Sequence, residues 1–323
     1  MTPLTVVLCF PVEAHHVEQI QRAVPEFAVI PAEQHEIGRT IFQADIFCGH
    51  AKQPIDWPEV VATGRLQWIQ SSAAGLDHCL HPAVIESNIP VTSASGLFAN
   101  QVAEQTFALL FGLIRTMPAF FKASLDRKYE RLATDDLHGK TIGIVGLGGN
   151  GLRIAELLAP FGNRIIATDY WPRRKPSYID QLWSADRLPE LLALSDVVIL
   201  CIPLNEQTHH LIDAVMISHM KPGSYLINVA RGPVVDEQAL IDALASGHIK
   251  AAGLDVAEVE PLPKESPLWT MPRVMITPHV GAQSQRRVSD TVDFFCQNLQ
   301  RFVANQPLRN LVDKRLGFPG IED

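Results

Sequence analysis

Three residues late in the chain carry the side chains that a redox reaction on an acid substrate needs. Arg231 closes the apolar run of "LINVARGPVVDE" (226–237), Glu260 stands in "GLDVAEVEPLP" (253–263), and His279 stands in "ITPHVGA" (276–282). An arginine can fork onto a carboxylate and orient the neighbouring carbonyl. A histidine titrates near neutrality, so it can give or take a hydroxyl proton. A glutamate bonded to its other ring nitrogen would fix the tautomer. Taken singly, each is ordinarily structural: a strand-end arginine pairs on the surface, and a loop acid is solvated. What makes them a set is position. Each follows a strand-like run, and in an open α/β sheet the loops at the carboxyl ends of strands line the ligand crevice.

A second pattern completes the chemistry. In "TIGIVGLGGNGLRIAELLAPFG" (141–162), Gly146, Gly148 and Gly151 have G-x-G-x-x-G spacing, directly after an apolar strand and at the opening of a helix. The first glycine allows the tight turn, the second the approach of a pyrophosphate, and the third close packing of helix on sheet. Unpaired N–H groups at the helix start attract the phosphates. The next strand ends in Asp169, 23 positions after Gly146 (169 − 146), where a carboxylate can accept ribose hydroxyls and repel a 2′-phosphate. NAD is therefore expected over NADP, although Arg173, Arg174 and Lys175 stand within reach of such a phosphate. Cradle and triad together describe interconversion of a 2-hydroxy acid and a 2-oxo acid. The hydride passes at C2 and the proton passes through His279.

The elements that must hold these residues are legible as alternating strands and helices. Strands are expected at 5–10, 27–30, 45–50, 66–71 and 89–94, with helices at 14–23 and 79–87. One long apolar helix is expected at 100–121, followed by a polar stretch, 126–140, that reads as a linker. A second series has strands at 141–146, 164–169, 196–203, 224–230, 251–256 and 273–279. A helix at 236–246 carries Asp236 as N-cap, a stripe of Ala239, Leu240, Ala243 and Leu244, and Gly247 as terminator. A last amphipathic helix, 285–305, puts Val288, Val292, Phe295, Leu299 and Phe302 on one side. Runs apolar on both faces imply parallel sheets covered by helices, an α/β class.

With 323 residues the chain fits two domains. Its 47% hydrophobic and 19% charged composition is that of a soluble globular protein, and a net charge of −8 disfavours nucleic acid or an anionic membrane as partner. Five scattered cysteines (Cys9, Cys48, Cys79, Cys201, Cys296) without a C-x-x-C pair read as reduced thiols, and a cytoplasmic location is expected. His15–His16 and His209–His210 are adjacent, so in a helix they point apart. Comparable metal-ligand spacing is lacking, and no metal is expected.

On these residues the sequence resembles the D-isomer-specific 2-hydroxyacid dehydrogenases over nearly its whole length. The matching pieces are "SSAAGLDH" (71–78), "GKTIGIVGLGGNG" (139–151), "DVVILCIPLNEQTHHLI" (196–212), "MKPGSYLINVARGPVVDEQAL" (220–240), "GLDVAEVEPLP", "PLW…PRVMITPHVGA" (267–282) and "QPLRNLVD" (306–313). The resemblance implies two doubly wound parallel-sheet domains. One is a flavodoxin-like substrate domain, residues 1–99 plus 287–323, and the other a Rossmann NAD-binding domain, 100–286. It implies Arg231, Glu260 and His279 as catalytic residues and a substrate-carboxylate loop at Ala74 and Gly75. It further implies cofactor contacts from Gly149, Asn150, Ile202, Pro203, Ala230, Asp255, His279 and Gly281, and a homodimer. Asn150 replaces the family's usual aliphatic residue. Ala73, Leu97, Phe98 and Trp269 are expected to set pocket size. An NAD(H)-sensing, corepressor-like interaction module on the same fold is the alternative, and the absence of a long polar or low-complexity arm weighs against it.

Overall fold

The computed structural model describes residues 3–172 and 175–320. They divide into two compact units: one runs up to Leu97 and resumes at Ser284, and the other is Phe98–Gln283.

The first unit begins with β1 (Thr5–Cys9), α1 (Ala14–Ala23), β2 (Ala28–Pro31), α2 (Ile37–Thr40), β3 (Ile46–Gly49), α3 (Trp57–Ala62), β4 (Trp68–Ser71), α4 (Pro82–Glu86) and β5 (Val91–Thr92). Its strands form one parallel sheet in the order β2-β1-β3-β4-β5, the flavodoxin-like arrangement. Alternate residues of β1 serve opposite faces, as the two-residue strand period requires. Val7 and Cys9 pack with Phe47, Trp57, Val60 and Val84, whereas Val6 and Leu8 pack with Ile20 and Trp68.

The second unit opens with α5 (Ala99–Ile114) and α6 (Met117–Leu125). It continues with β6 (Thr141–Val145), α7 (Gly149–Leu158), β7 (Arg164–Asp169), β8 (Gln181–Ser184), α8 (Leu188–Leu194), β9 (Val197–Leu200), α9 (Ala214–His219), β10 (Ser224–Asn228), α10 (Glu237–Ser246), β11 (Ile249–Leu254) and β12 (Val274–Ile276). All seven strands are parallel, in the order β12-β11-β10-β9-β6-β7-β8. The order reverses between β6 and β9, and that switch point is where a doubly wound sheet opens its ligand crevice. On one face Ile142, Ile144, Val197 and Ile199 meet Leu109, Leu113, Ile154 and Leu158; on the other Ile166, Val198 and Leu226 meet Leu191, Ile217 and Leu240.

The chain then returns to the first unit with α11 (Arg287–Val303), β13 (Val312–Asp313) and β14 (Phe318–Pro319). Val292, Phe295 and Leu299 of α11 are buried beside Ile20 and Trp68, with Val288 and Phe302 packed against them, so the predicted apolar side is the one that is covered.

Two expectations from the sequence need correcting. The long helix at 100–121 is two helices, α5 and α6, meeting at 70°. Pro118 has no N–H and its ring would strike the Ile114 carbonyl in a continuous helix. Thr116 therefore turns left-handed (φ 58) and its hydroxyl bonds the Ala133 carbonyl at 3.0 Å. The stretch 126–140 is not a joint between units but a loop inside the second. Asp135 fastens it there, accepting from the Tyr225 hydroxyl at 2.5 Å and from Lys250 Nζ at 2.6 Å. The helix at α10 is as expected: the Asp236 carboxylate accepts from the Ala239 N–H, and Gly247 ends it at φ 79. Among the described residues, no single helix is long and apolar enough to cross a membrane.

Candidate active site

The glycine turn follows β6 and opens α7. Gly146 has φ +92, and a Cβ on it would lie 2.7 Å from Ile202 Cγ2 and 3.0 Å from the Cys201 carbonyl. This sets Ile202, which with Pro203 follows β9, along the border of the turn. A Cβ on Gly151 would sit 2.0 Å from the Gly146 oxygen, so no side chain fits where helix meets strand. Gly148 differs: it is the N-cap of α7, and a Cβ there would meet nothing within 4 Å. Two glycines are thus demanded by the protein's own packing, while the third leaves space in front of the first N–H groups of the helix, at Gly149 and Asn150. Such a cradle fits the pyrophosphate of a dinucleotide.

Asp169 ends β7 and faces this turn. Its Oδ2 accepts from the Leu147 N–H at 2.6 Å and its Oδ1 from the Trp171 N–H at 2.9 Å. The acid is held at the strand tip, where a ribose would be read. Of the nearby basic residues, Arg173 and Arg174 lie outside the described residues, and Lys175 turns back onto the Ile179 carbonyl.

The pair His279 and Glu260 is built by two later loops. His279 Nδ1–H donates to Glu260 Oε2 at 2.9 Å, which leaves Nε2 for a ligand. Both side chains are about two-fifths exposed, at 44% and 40%, so a substrate can reach them. Burial pushes the Glu260 carboxyl up. The hydrogen bond and charge of His279, the Ala257 N–H and the Arg231 charge outweigh this and hold it below the usual carboxylate range. Glu260 is therefore a carboxylate at neutral pH.

His279 occupies the left-handed region (φ 54), which costs about 1–2 kcal/mol for a non-glycine residue. A dense set of bonds offsets it. The His279 N–H donates to the Asp255 carbonyl at 2.7 Å. The buried Asp255 carboxylate accepts from Thr277 Oγ1 (2.7 Å), Val280 N–H (3.0 Å) and Gly281 N–H (2.7 Å). Gln105, on α5, donates to Thr277 Oγ1 at 2.7 Å. Asp255 and Gly281, both implied by the resemblance as cofactor contacts, also hold the histidine loop, and a Cβ on Gly281 would press on Asp255.

Arg231 stands three residues beyond β10. The buried Asn228 side chain shapes its turn, accepting from the Ala230 N–H and donating to the Arg231 carbonyl, both at 3.0 Å. Arg231 Nη1 donates to the buried Ala230's carbonyl at 2.7 Å. Gly232 touches the neighbouring loop so closely that a Cβ would lie 1.8 Å from the Ala257 oxygen. The Arg231 turn and the Glu260 loop are in contact through that glycine.

Arg231, Glu260, His279 and the cradle thus all stand at the carboxyl ends of strands of one sheet. Ala74 and Gly75 belong to the first unit, in the loop after β4, where Ala74 is exposed. That loop is pinned by Ser71 Oγ, which bonds both the N–H and the carbonyl of Ala73. Phe98 is buried and Trp269 is 54% exposed, tied to the Pro263 carbonyl. Burial pushes the Cys201 thiol up to about 12, so this cysteine beside the turn is no nucleophile at neutral pH.

Sequence reasoning assigned no role to Gln105, Thr277, Asn228 and Gly232, which brace the loops of the site. It also set aside the adjacent histidines. The rings of His15 and His16 lie 3.8 Å apart and those of His209 and His210 4.1 Å apart, so neither pair points apart.

Comparison with known proteins supplies the context. Residues 107–281 match the family described as D-isomer specific 2-hydroxyacid dehydrogenase, NAD binding domain. A glyoxylate reductase of Thermofilum pendens is 32% identical over 292 residues, covering 88% of this chain and 86% of that one. A D-isomer specific 2-hydroxyacid dehydrogenase from Xanthobacter autotrophicus Py2, solved with NADPH and MES, superposes with a TM-score of 0.83. It is 29% identical, over 98% of this chain and 100% of that one. An NADPH-dependent glyoxylate/hydroxypyruvate reductase from Sinorhizobium meliloti, solved with NADP and sulfate, also gives 0.83, at 25% identity over 98% and 100%.

Proposed function

The chain belongs to the D-isomer-specific 2-hydroxyacid dehydrogenases, and on that premise we propose that it reduces a small 2-oxo acid to the D-2-hydroxy acid, and the reverse, with NAD(H). The observation that carries this reading is the 2.9 Å bond between His279 Nδ1 and Glu260, beside Arg231 on the same sheet as the cradle. Gly146, Gly148, Gly149, Asn150 and Gly151 would hold the cofactor's phosphates and Asp169 its ribose. When bound, the nicotinamide supplies or accepts the hydride at C2.

The residues do the rest. Arg231 presents a planar fork that pairs with the substrate carboxylate and fixes the direction of the C2 carbonyl. In reduction, His279 Nε2 gives its proton to the carbonyl oxygen as negative charge develops there. Glu260, ionised and bonded to Nδ1, balances the imidazolium before the transfer. In oxidation the neutral ring takes the hydroxyl proton at the same Nε2.

Asp169 supports NAD, because a fixed carboxylate disfavours a 2′-phosphate. The NADP(H)-bound relatives favour the other nicotinamide. A homodimer is supported by apolar side chains left uncovered on and after α6: Phe121 at 61%, Leu125 at 86% and Tyr129 fully exposed. The test is oxidation of NADH and of NADPH against glyoxylate, pyruvate, hydroxypyruvate and bulkier 2-oxo acids. Turnover with NADH on at least one supports the reading. No turnover with either cofactor on any of them overturns it.

A further inference from the structure

A second histidine–carboxylate pair lies beside the first. His210 Nε2 and Glu258 Oε1 are 2.8 Å apart, with side chains 35% and 31% exposed. Glu258 is two residues from Glu260, yet its carboxylate faces other loops. Its second oxygen accepts the Glu237 N–H at the start of α10 (3.0 Å), and its own N–H donates to the Glu237 carboxylate (3.2 Å). His210 is held as firmly. Its backbone is left-handed (φ 49) and its N–H donates to the Pro233 carbonyl at 2.8 Å; two residues on, the Ile212 N–H donates to the Val234 carbonyl at 3.0 Å.

Three loops meet at this pair. The loop after β9 carries Ile202–Pro203 and His210; the loop after β10 carries Arg231 and Pro233; the loop after β11 carries Glu258 and Glu260. The contact of Gly232 with the Ala257 carbonyl and the Glu258 nitrogen lies between the last two. A histidine–carboxylate hydrogen bond this open to solvent contributes little stability by itself. This one ties the loop after β9 to the loop that carries Glu260, and the His210 N–H in turn holds the Arg231 turn at the Pro233 carbonyl. We propose that His210 and Glu258 are positioning residues, a clamp that keeps Arg231 and Glu260 in register for the dehydrogenase reaction, a proposal that rests on the function given above. Neither touches the reacting atoms.

The test uses His210→Ala, Glu258→Ala, the double variant and His210→Gln in the full chain, on the best 2-oxo acid. A displaced Arg231 raises KM for the acid, and a displaced Glu260 lowers kcat. Each alanine variant is therefore expected to lose about tenfold or more in kcat/KM, shared between the two. NADH affinity by fluorescence titration should stay within about threefold, since the cradle is untouched. The double variant should lose no more than either single, and His210→Gln, which keeps a donor toward Glu258, should recover most of the loss. Folded variants with unchanged kcat and KM, or losses that simply add, overturn the clamp.

Amide hydrogen exchange gives an answer that does not need turnover. In either alanine variant the N–H groups of Ile212, Glu237 and Glu258 should all exchange at least about fivefold faster. Acceleration confined to the mutated residue's own loop overturns the clamp. If the wild type turns over no 2-oxo acid, the proposed function fails while this exchange measurement still decides the coupling.

Discussion

At the scale of single residues, the glycines separate packing from ligand binding. Gly151 has no room for a Cβ, which would lie 2.0 Å from the Gly146 oxygen, whereas Gly148 has open space in front of it. Gly151→Ala is expected to destabilise the fold by about 1–3 kcal/mol, because helix and strand must move apart. Gly148→Ala should leave the thermal midpoint unchanged and weaken NADH by about tenfold or more, because the added methyl stands where a pyrophosphate approaches. Thermal melts with and without NADH check both. A Gly148→Ala protein that melts early, or binds NADH normally, contradicts this division of roles.

At the scale of elements, carboxylates fasten loops and strand ends in the second unit. The hydrogen bonds from Lys250 and Tyr225, with the charges of Lys250 and Lys140, hold Asp135 below the usual range against its burial. Burial pushes Asp196 up, but the Thr141 N–H and the bond and charge of Lys221, aided by Lys140, bring it down. Both folded-state values are therefore depressed. Their contribution is complete above the unfolded carboxyl range, near about pH 4, and is lost as pH falls through the folded values. Urea midpoints should hold from about pH 7 to 5 and fall below about pH 4, with a shallower fall in Asp135→Asn. A midpoint that rises on acidification would contradict the assignment.

Much at this scale was legible beforehand. The capped helix α10, the glycine turn and the strands that lead to Arg231, Glu260 and His279 follow from local pattern, which one stretch of chain determines. β8 escaped because it is an edge strand, half-buried, without a continuous apolar run. The break at Thr116 had a visible cause in Pro118. The braces Gln105–Thr277 and His210–Glu258 could not be read, because they join residues 172 and 48 positions apart. Spacing records what a helix or strand needs, not which loops will meet.

At the scale of the whole molecule, two parallel sheets of different strand order are built by one chain that leaves the first unit near Leu97 and returns near Ser284. The uncovered Phe121 and Leu125 of α6 predict association of two copies. Sedimentation equilibrium should give twice the chain mass, and Leu125→Glu should give a folded monomer; a wild-type monomer at micromolar concentration contradicts this. The proposed chemistry nonetheless converges on one ring, whose tautomer is fixed by Glu260 and whose loop is fixed by Asp255. The most direct measurement is steady-state reduction of the preferred 2-oxo acid by His279→Ala, with NADH affinity measured in parallel. The expected result is a fall in kcat of about 10²–10⁴-fold with NADH affinity nearly intact. Turnover close to wild type would contradict the account.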